Sequence, residues 1–142
     1  MRRHAPVFSL LFTAIVGLSL CACGEQTADE VTPQQVVYET RGRIDALPAT
    51  GSPASELQIY HEEIPSFLHT WPDGDQGMRA MRMPFPLGPD VDLTGFAIGD
   101  IVAVTFVVDY DRESGSLLGY RVIELESLPQ DTELDLSRPD SE

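Results

Sequence analysis

Apolar and polar positions alternate in five stretches of this chain. Ile101 to Tyr110 is the plainest, a run of β-branched and aromatic residues of strand length. Ser114-Gly115-Ser116 then reads as a hairpin loop, and 118–125 returns as a further strand. Upstream, 36–47 alternates through Tyr38, Thr40, Gly42, Ile44 and Ala46, and Gly42 in its middle suggests a bend or bulge. Residues 56–61 form the next strand, which Glu62 to Pro65 ends. Leu57, Ile59 and His61 share one of its faces, so His61 continues an inward row. A short strand at 81–85 puts Met81, Met83 and Phe85 on one face, and Pro84 and Pro86 confine it to a sheet edge or a strand end. Turn clusters occupy 48–53 and 87–90, 66–77 reads as a loop, and 92–100 reads as a crossing segment that ends on Gly99-Asp100. Five strands without a convincing helix or an internal repeat predict an all-β fold, a small five-stranded OB-like Greek-key barrel over 36–128. A sandwich fragment is the structural alternative.

The two ends fall outside this pattern. Met1 to His4 is basic, 5–20 is almost wholly apolar, and small residues and cysteine follow. That is the layout of an export signal, and the apolar run is short for a membrane span. The plainer alternative is an N-terminal anchor helix that stays on the chain. Leu20-Cys21-Ala22-Cys23-Gly24 resembles a bacterial lipoprotein box, with Leu20 at −3 and Ala22 at −1 of Cys23. Residues 1–22 therefore read as a lipoprotein signal peptide and Cys23 as the acylated residue, holding the chain on a membrane by lipid rather than by a spanning helix. The expected location is periplasmic or otherwise extracytoplasmic, and Gly24 in place of Asp after Cys23 leans toward an outer membrane. Residues 23–35 are polar and acidic, a flexible tether, and 129–142 reads as a disordered acidic tail.

Charge removes one class of partner. There are 23 acidic residues against 9 basic ones, all arginine, and a formal net charge of −14. A nucleic acid needs a basic footprint, so none is expected as a partner. Most of the negative charge reads as solvated surface. Both cysteines lie at the signal boundary. With Cys23 acylated, no thiol remains, and a soft-metal site must be built from methionine and histidine, which suits an oxidising compartment.

Apart from Met1, every methionine falls within six residues: Met78, Met81 and Met83. A thioether is a neutral, polarizable donor that does not compete with protons, and it suits Cu(I) or Ag(I) far better than hard divalent ions. An imidazole adds a stronger donor. Taken singly, methionines are more often core filler and an inward histidine is more often a satisfied core group. Here the clustering, the flanking Arg79 and Arg82 and the prolines of a sheet edge set the thioethers apart from filler. His61 with the three thioethers is the candidate soft-metal site. Glu62 and Glu63 read as an acid–base pair, as a partner for the other nitrogen of His61, or as solvated carboxylates. Asp109, Asp111 and Glu113 lack the spacing and glycine of a calcium loop, and Asp73-Gly74-Asp75 is an ordinary turn. No nucleophile–histidine–acid set occurs, so no enzyme is expected.

These pieces together resemble the CusF-like periplasmic copper-binding family: Tyr38-x-x-x-Gly42-x-Ile44, His61-Glu62-Glu63-Ile64-Pro65, Met78-x-x-Met81-x-Met83-Pro84-Phe85-Pro86, and Gly99-Asp100-Ile101-Val102 before an alternating strand. The resemblance runs from about Tyr38 to Leu128. It implies an OB-like barrel that binds Cu(I) or Ag(I) at one end, with His61, Met81 and Met83 as ligands. It also implies an efflux-pump adaptor or a copper-acceptor protein as recipient. Some members carry a tryptophan where this chain has Met78, which leaves Met78 as a third thioether or an apolar cover. The segment between His61 and Met78 is longer than in compact members. Its His69 is a candidate auxiliary ligand and its Trp71 a candidate lid, against an exposed loop as the default. The competing reading is an OB-fold module for an oligosaccharide, peptide or protein partner without metal.

Overall fold

The computed structural model describes residues 32–49 and 56–137. The expected signal peptide, Cys23 and the greater part of the tether lie outside the described residues. Among those described, no helix is long and apolar enough to cross a membrane.

The described residues form seven strands: β1 (Gln34–Ala46), β2 (Leu57–His61), β3 (Ile64–Leu68), β4 (Gln76–Met78), β5 (Met81–Phe85), β6 (Ile101–Tyr110) and β7 (Leu117–Ser127). The architecture is all-β. Five strands form an antiparallel sheet in the order β5-β2-β1-β6-β7, and β3 pairs with β4 in a separate two-stranded sheet. The five expected strands are those of the large sheet. The stretch expected as a strand end followed by a loop contains β3 and β4 instead. Pro65, Ser66 and Gly77 hide them, and the buried positions of β3, Ile64 and Phe67, are three apart rather than two.

Strand alternation places the core. Tyr38, Thr40, Gly42 and Ile44 of β1 face inward, as do Leu57, Ile59 and His61 of β2. Val102, Val104, Phe106, Val108 and Tyr110 of β6 complete that layer, with Val122 from β7. The two edges of the large sheet meet beyond the end of β5. Val122 donates its N–H to the Pro86 carbonyl, Gly88 donates to the Val122 carbonyl, both at 2.8 Å, and the Tyr120 hydroxyl donates to the Pro84 carbonyl at 2.8 Å. Leu87 and Val122 form an isolated parallel bridge at this seam.

Gly42 serves a close approach rather than a bulge. A Cβ there would lie 2.6 Å from the Tyr60 carbonyl oxygen and 3.0 Å from the His61 Cα. The register shift of the β1–β2 pair falls between Ile44 and Ala46 instead.

The β3–β4 hairpin is hooked over the core by two tyrosines. The Leu68 N–H donates to the Tyr38 hydroxyl at 3.1 Å, the Tyr110 hydroxyl donates to the Leu68 carbonyl, and the two hydroxyls lie 3.2 Å apart. Burial, helped by the bond to Tyr38, pushes the Tyr110 pKa up, so this hydroxyl stays protonated as a donor.

Of the stretch expected as an acidic tail, 129–137 is described. It follows β7 back along the sheet. Gln130 donates to Asp100 at 3.2 Å, the Asp135 N–H donates to Glu62 Oε1 at 2.7 Å, and the Tyr60 hydroxyl donates to the Leu136 carbonyl at 3.2 Å. Leu134 and Leu136 are half-buried.

Candidate metal centre

The register of β2 against β5 sets the geometry. Leu57 pairs with Phe85, Ile59 with Met83, and His61 with Met81. Directly opposed residues of an antiparallel pair point to the same side of the sheet, with Cβ atoms about 4.5–5.5 Å apart. All three pairs therefore lie in one inward row. Exposure rises along β5, from Phe85 at 0% through half-buried Met83 to Met81 at 44%. The row runs out of the core and reaches solvent at the His61–Met81 end.

His61 is fully buried, its ring edge-on to Phe85 at 5.9 Å between centroids. Its Nδ1 lies 2.6 Å from the Glu62 carbonyl oxygen. A carbonyl can only accept, so Nδ1 carries the proton and Nε2 carries the lone pair. Nε2 is buried and has no hydrogen-bond partner; among the described residues no other buried side-chain nitrogen or oxygen is left so. Burial lowers the His61 pKa below the ordinary histidine value, and the bond to the Glu62 carbonyl opposes that shift without cancelling it. The ring is neutral at neutral pH, and its lone pair is unblocked. An unsatisfied buried acceptor costs about 1–3 kcal/mol, and a Lewis acid bound there would offset that cost.

The Glu62 carboxylate does not hold His61. It forms a two-point ion pair with Arg41, Nε to Oε2 at 2.7 Å and the second guanidinium nitrogen to Oε1 at 2.8 Å. Glu63 is exposed. The Glu62 main chain does the holding. Its N–H donates to the Arg41 carbonyl at 2.8 Å, and its own carbonyl also accepts from the Thr40 hydroxyl at 3.3 Å. Sequence reasoning looked for a carboxylate partner of His61 and missed a main-chain carbonyl, which carries no residue signature.

Met83 and Met78 are half-buried and pack against the core cluster. Met78 stands opposite Ile64 in the β3–β4 pair, and His61 and Met78 come together as a pair. The buried residue between Met78 and Met81 is Ala80, at 3% exposure. His61 and Met81 thus lie level across β2 and β5, Met83 follows one pair inward, and Met78 approaches from the hairpin.

Two residues of the long intervening segment go elsewhere. The Trp71 N–H donates to the Gly115 carbonyl at 3.0 Å, and Thr70 bridges to Ser116, both on the β6–β7 hairpin. Gly115 has φ 71°, and a Cβ there would lie 2.0 Å from the Trp71 carbonyl oxygen, so glycine permits the contact. Val102 is the β6 residue level with Gly42 and His61, while the hairpin begins after Tyr110. That span of extended strand is ~26 Å. Trp71 packs against the core at that far end and is no lid over His61. His69 is exposed; its Nε2 donates to the Gly77 carbonyl at 2.8 Å, and its ring sits edge-on to Phe67.

The acidic candidates are structural. The Asp111 carboxylate accepts from the N–H groups of Glu113 and Ser114 and caps the hairpin, and Asp109 pairs with Arg121 at 2.6 Å. No group of three or more His, Cys, Asp or Glu side chains placed to hold a metal occurs among the described residues. Comparison with protein-family models, with curated proteins and with solved structures returns no match.

Proposed function

We propose that this chain is an extracytoplasmic, lipid-anchored protein that binds Cu(I), or the equally soft Ag(I), for buffering or hand-off. It performs no catalysis. One observation carries the reading: the buried, unpartnered Nε2 of His61, level with Met81 on the row that opens to solvent. A histidine kept as core filler would have both nitrogens satisfied or one exposed.

The metal-binding set is His61, Met81 and Met83, with Met78 as the third thioether. The resemblance to the CusF-like family supports the same set. Cys23 carries the lipid. The sheet, with its edges joined at Val122, is taken as an OB-like Greek-key barrel with the site at one end. The recipient is an efflux-pump adaptor or a copper-acceptor protein. The oligosaccharide or peptide reading finds less support. It needs exposed aromatics, yet Phe67 is buried at 3% and the Tyr60 hydroxyl is engaged by Leu136.

The test is a competition titration with Cu(I) under reducing conditions against a chromophoric chelator. Wild-type protein is expected to bind one ion far more tightly than micromolar, beyond about −8 kcal/mol. His61→Ala, and Met81→Ala with Met83→Ala, are expected to abolish that affinity. Unchanged affinity in these variants would show the site to be misassigned.

A further inference from the structure

Glu62 is heavily engaged beside the candidate centre, by both its main chain and its carboxylate. Its carbonyl fixes the His61 tautomer at 2.6 Å. Its carboxylate is gripped by Arg41, in two hydrogen bonds of 2.7 and 2.8 Å. Its Oε1 also accepts the Asp135 N–H at 2.7 Å. The side chain is only 14% exposed, although Glu62 lies in the connection just past the end of β2. The segment that brings Asp135 into place is seated by half-buried Leu134 and Leu136 and by the Tyr60 hydroxyl on the Leu136 carbonyl. Tyr60 is the immediate neighbour of His61 on β2. Contacts from 132–137 thus fall on both residues that flank His61.

We propose that Glu62 is a positioning residue for His61, and that the C-terminal segment 132–137 is the strap that keeps it in place. Resting on the soft-metal reading, the proposal adds that cargo affinity is set partly from a surface remote from the thioethers. The physical chain is short. Arg41 and the Asp135 N–H hold the Glu62 carboxylate, and the Arg41 carbonyl holds its N–H. The carbonyl of the same residue is thereby aimed at Nδ1, and Nε2 is left bare. Loosening the strap frees the Glu62 side chain and lets the Glu62 peptide rotate. The His61 proton is then able to move to Nε2, where it blocks the lone pair a metal would use. A partner that lifts 132–137 would release the cargo by the same route.

The experiment compares full-length wild type with Glu62→Ala, Glu62→Gln and the double variant Leu134→Ser/Leu136→Ser. Imidazole nitrogen-15 shifts of the metal-free protein, at a pH where the ring is neutral, report which nitrogen of His61 is protonated. Chelator competition reports Cu(I) affinity. Wild type is expected to show Nδ1 protonated and Nε2 bare. Glu62→Ala and the strap variant are expected to gain Nε2-protonated ring and to bind Cu(I) about tenfold more weakly. Glu62→Gln, which still accepts from Asp135, is expected to fall between them and wild type. Unchanged tautomer in both Glu62→Ala and the strap variant overturns the proposal, whatever the affinities do. If Glu62→Ala fails to fold, the strap variant, which alters no core residue, decides alone. If wild type takes up no Cu(I), the proposed cargo falls, while the tautomer comparison still decides the clamp.

Discussion

Replacing His61 by leucine should make the metal-free protein no less stable, although His61 is fully buried. The substitution removes two things. One is the Nδ1–H bond to the Glu62 carbonyl, worth about 0.5–1.5 kcal/mol net. The other is the unpartnered Nε2, which costs the wild type about 1–3 kcal/mol. Leucine extends the apolar row of Leu57 and Ile59 into a site lined by Phe85, and Thr40 remains as a donor to the Glu62 carbonyl. The balance is a gain of about 1 kcal/mol, or roughly 4–8 °C in Tm for a fold of this size. Cu(I), bound as proposed, should reverse the order: at a free concentration 100 times Kd it would add about 2.7 kcal/mol to wild type and nothing to His61→Leu. Urea unfolding of both proteins, followed by Trp71 fluorescence with and without Cu(I) under reducing conditions, should therefore give midpoints that cross. A loss of more than about 2 kcal/mol in the metal-free variant would mean that the histidine is a satisfied core group and the argument from Nε2 is wrong.

Met81→Leu and Met83→Leu keep side-chain volume, so each should change metal-free stability by less than about 1.5 kcal/mol while weakening Cu(I) binding at least about tenfold in chelator competition. Met78→Leu should weaken it too if the third thioether binds, whereas unchanged affinity would reduce Met78 to an apolar cover. Gly42→Ala should cost about 3 kcal/mol in urea unfolding, because the new methyl meets the Tyr60 carbonyl oxygen at 2.6 Å, which is backbone and cannot rotate away. Metal-free stability should fall as pH drops below about 6.5: the His61 pKa is lowered in the fold, so the unfolded chain takes up the proton first. The loss approaches about 1.4 kcal/mol per pH unit until the lowered pKa is passed, and denaturation at a series of pH values should show this component missing in His61→Leu.

The large sheet was legible because its strands obey a period of two. Tyr38, Thr40, Gly42 and Ile44 in β1, and Leu57, Ile59 and His61 in β2, can be read inward from the chain alone. The same arithmetic placed Met81 and Met83 with Phe85. Strands β3 and β4 were not legible. One has its buried residues three apart, so no period of two shows, and the other is only three residues long. Trp71 was placeable only through Gly115, a contact between segments far apart in sequence. The decisive feature of the centre was equally hidden. Which nitrogen of His61 is bare depends on where one main-chain carbonyl lies, and carbonyls look alike in every sequence. The strap was obscured by its composition, since an acidic stretch with isolated leucines reads as solvated chain until Tyr60 and Glu62 are seen to hold it.

Strand β5 carries Met81 at one end and leads at the other into the seam where Pro86 and Gly88 bond to Val122. Along one flank it is paired to β2; along the other it relies on that seam and on the Tyr120 hydroxyl. It is therefore a lever held along β2 and at its far tip. Fixing the thioethers to the imidazole of the neighbouring strand, as proposed, would pin the near tip and stiffen the far one. Amide hydrogen exchange at Val122 and Gly88, at the far tip, would then slow when the near tip is occupied, so the seam reports on the mouth of the row without touching it.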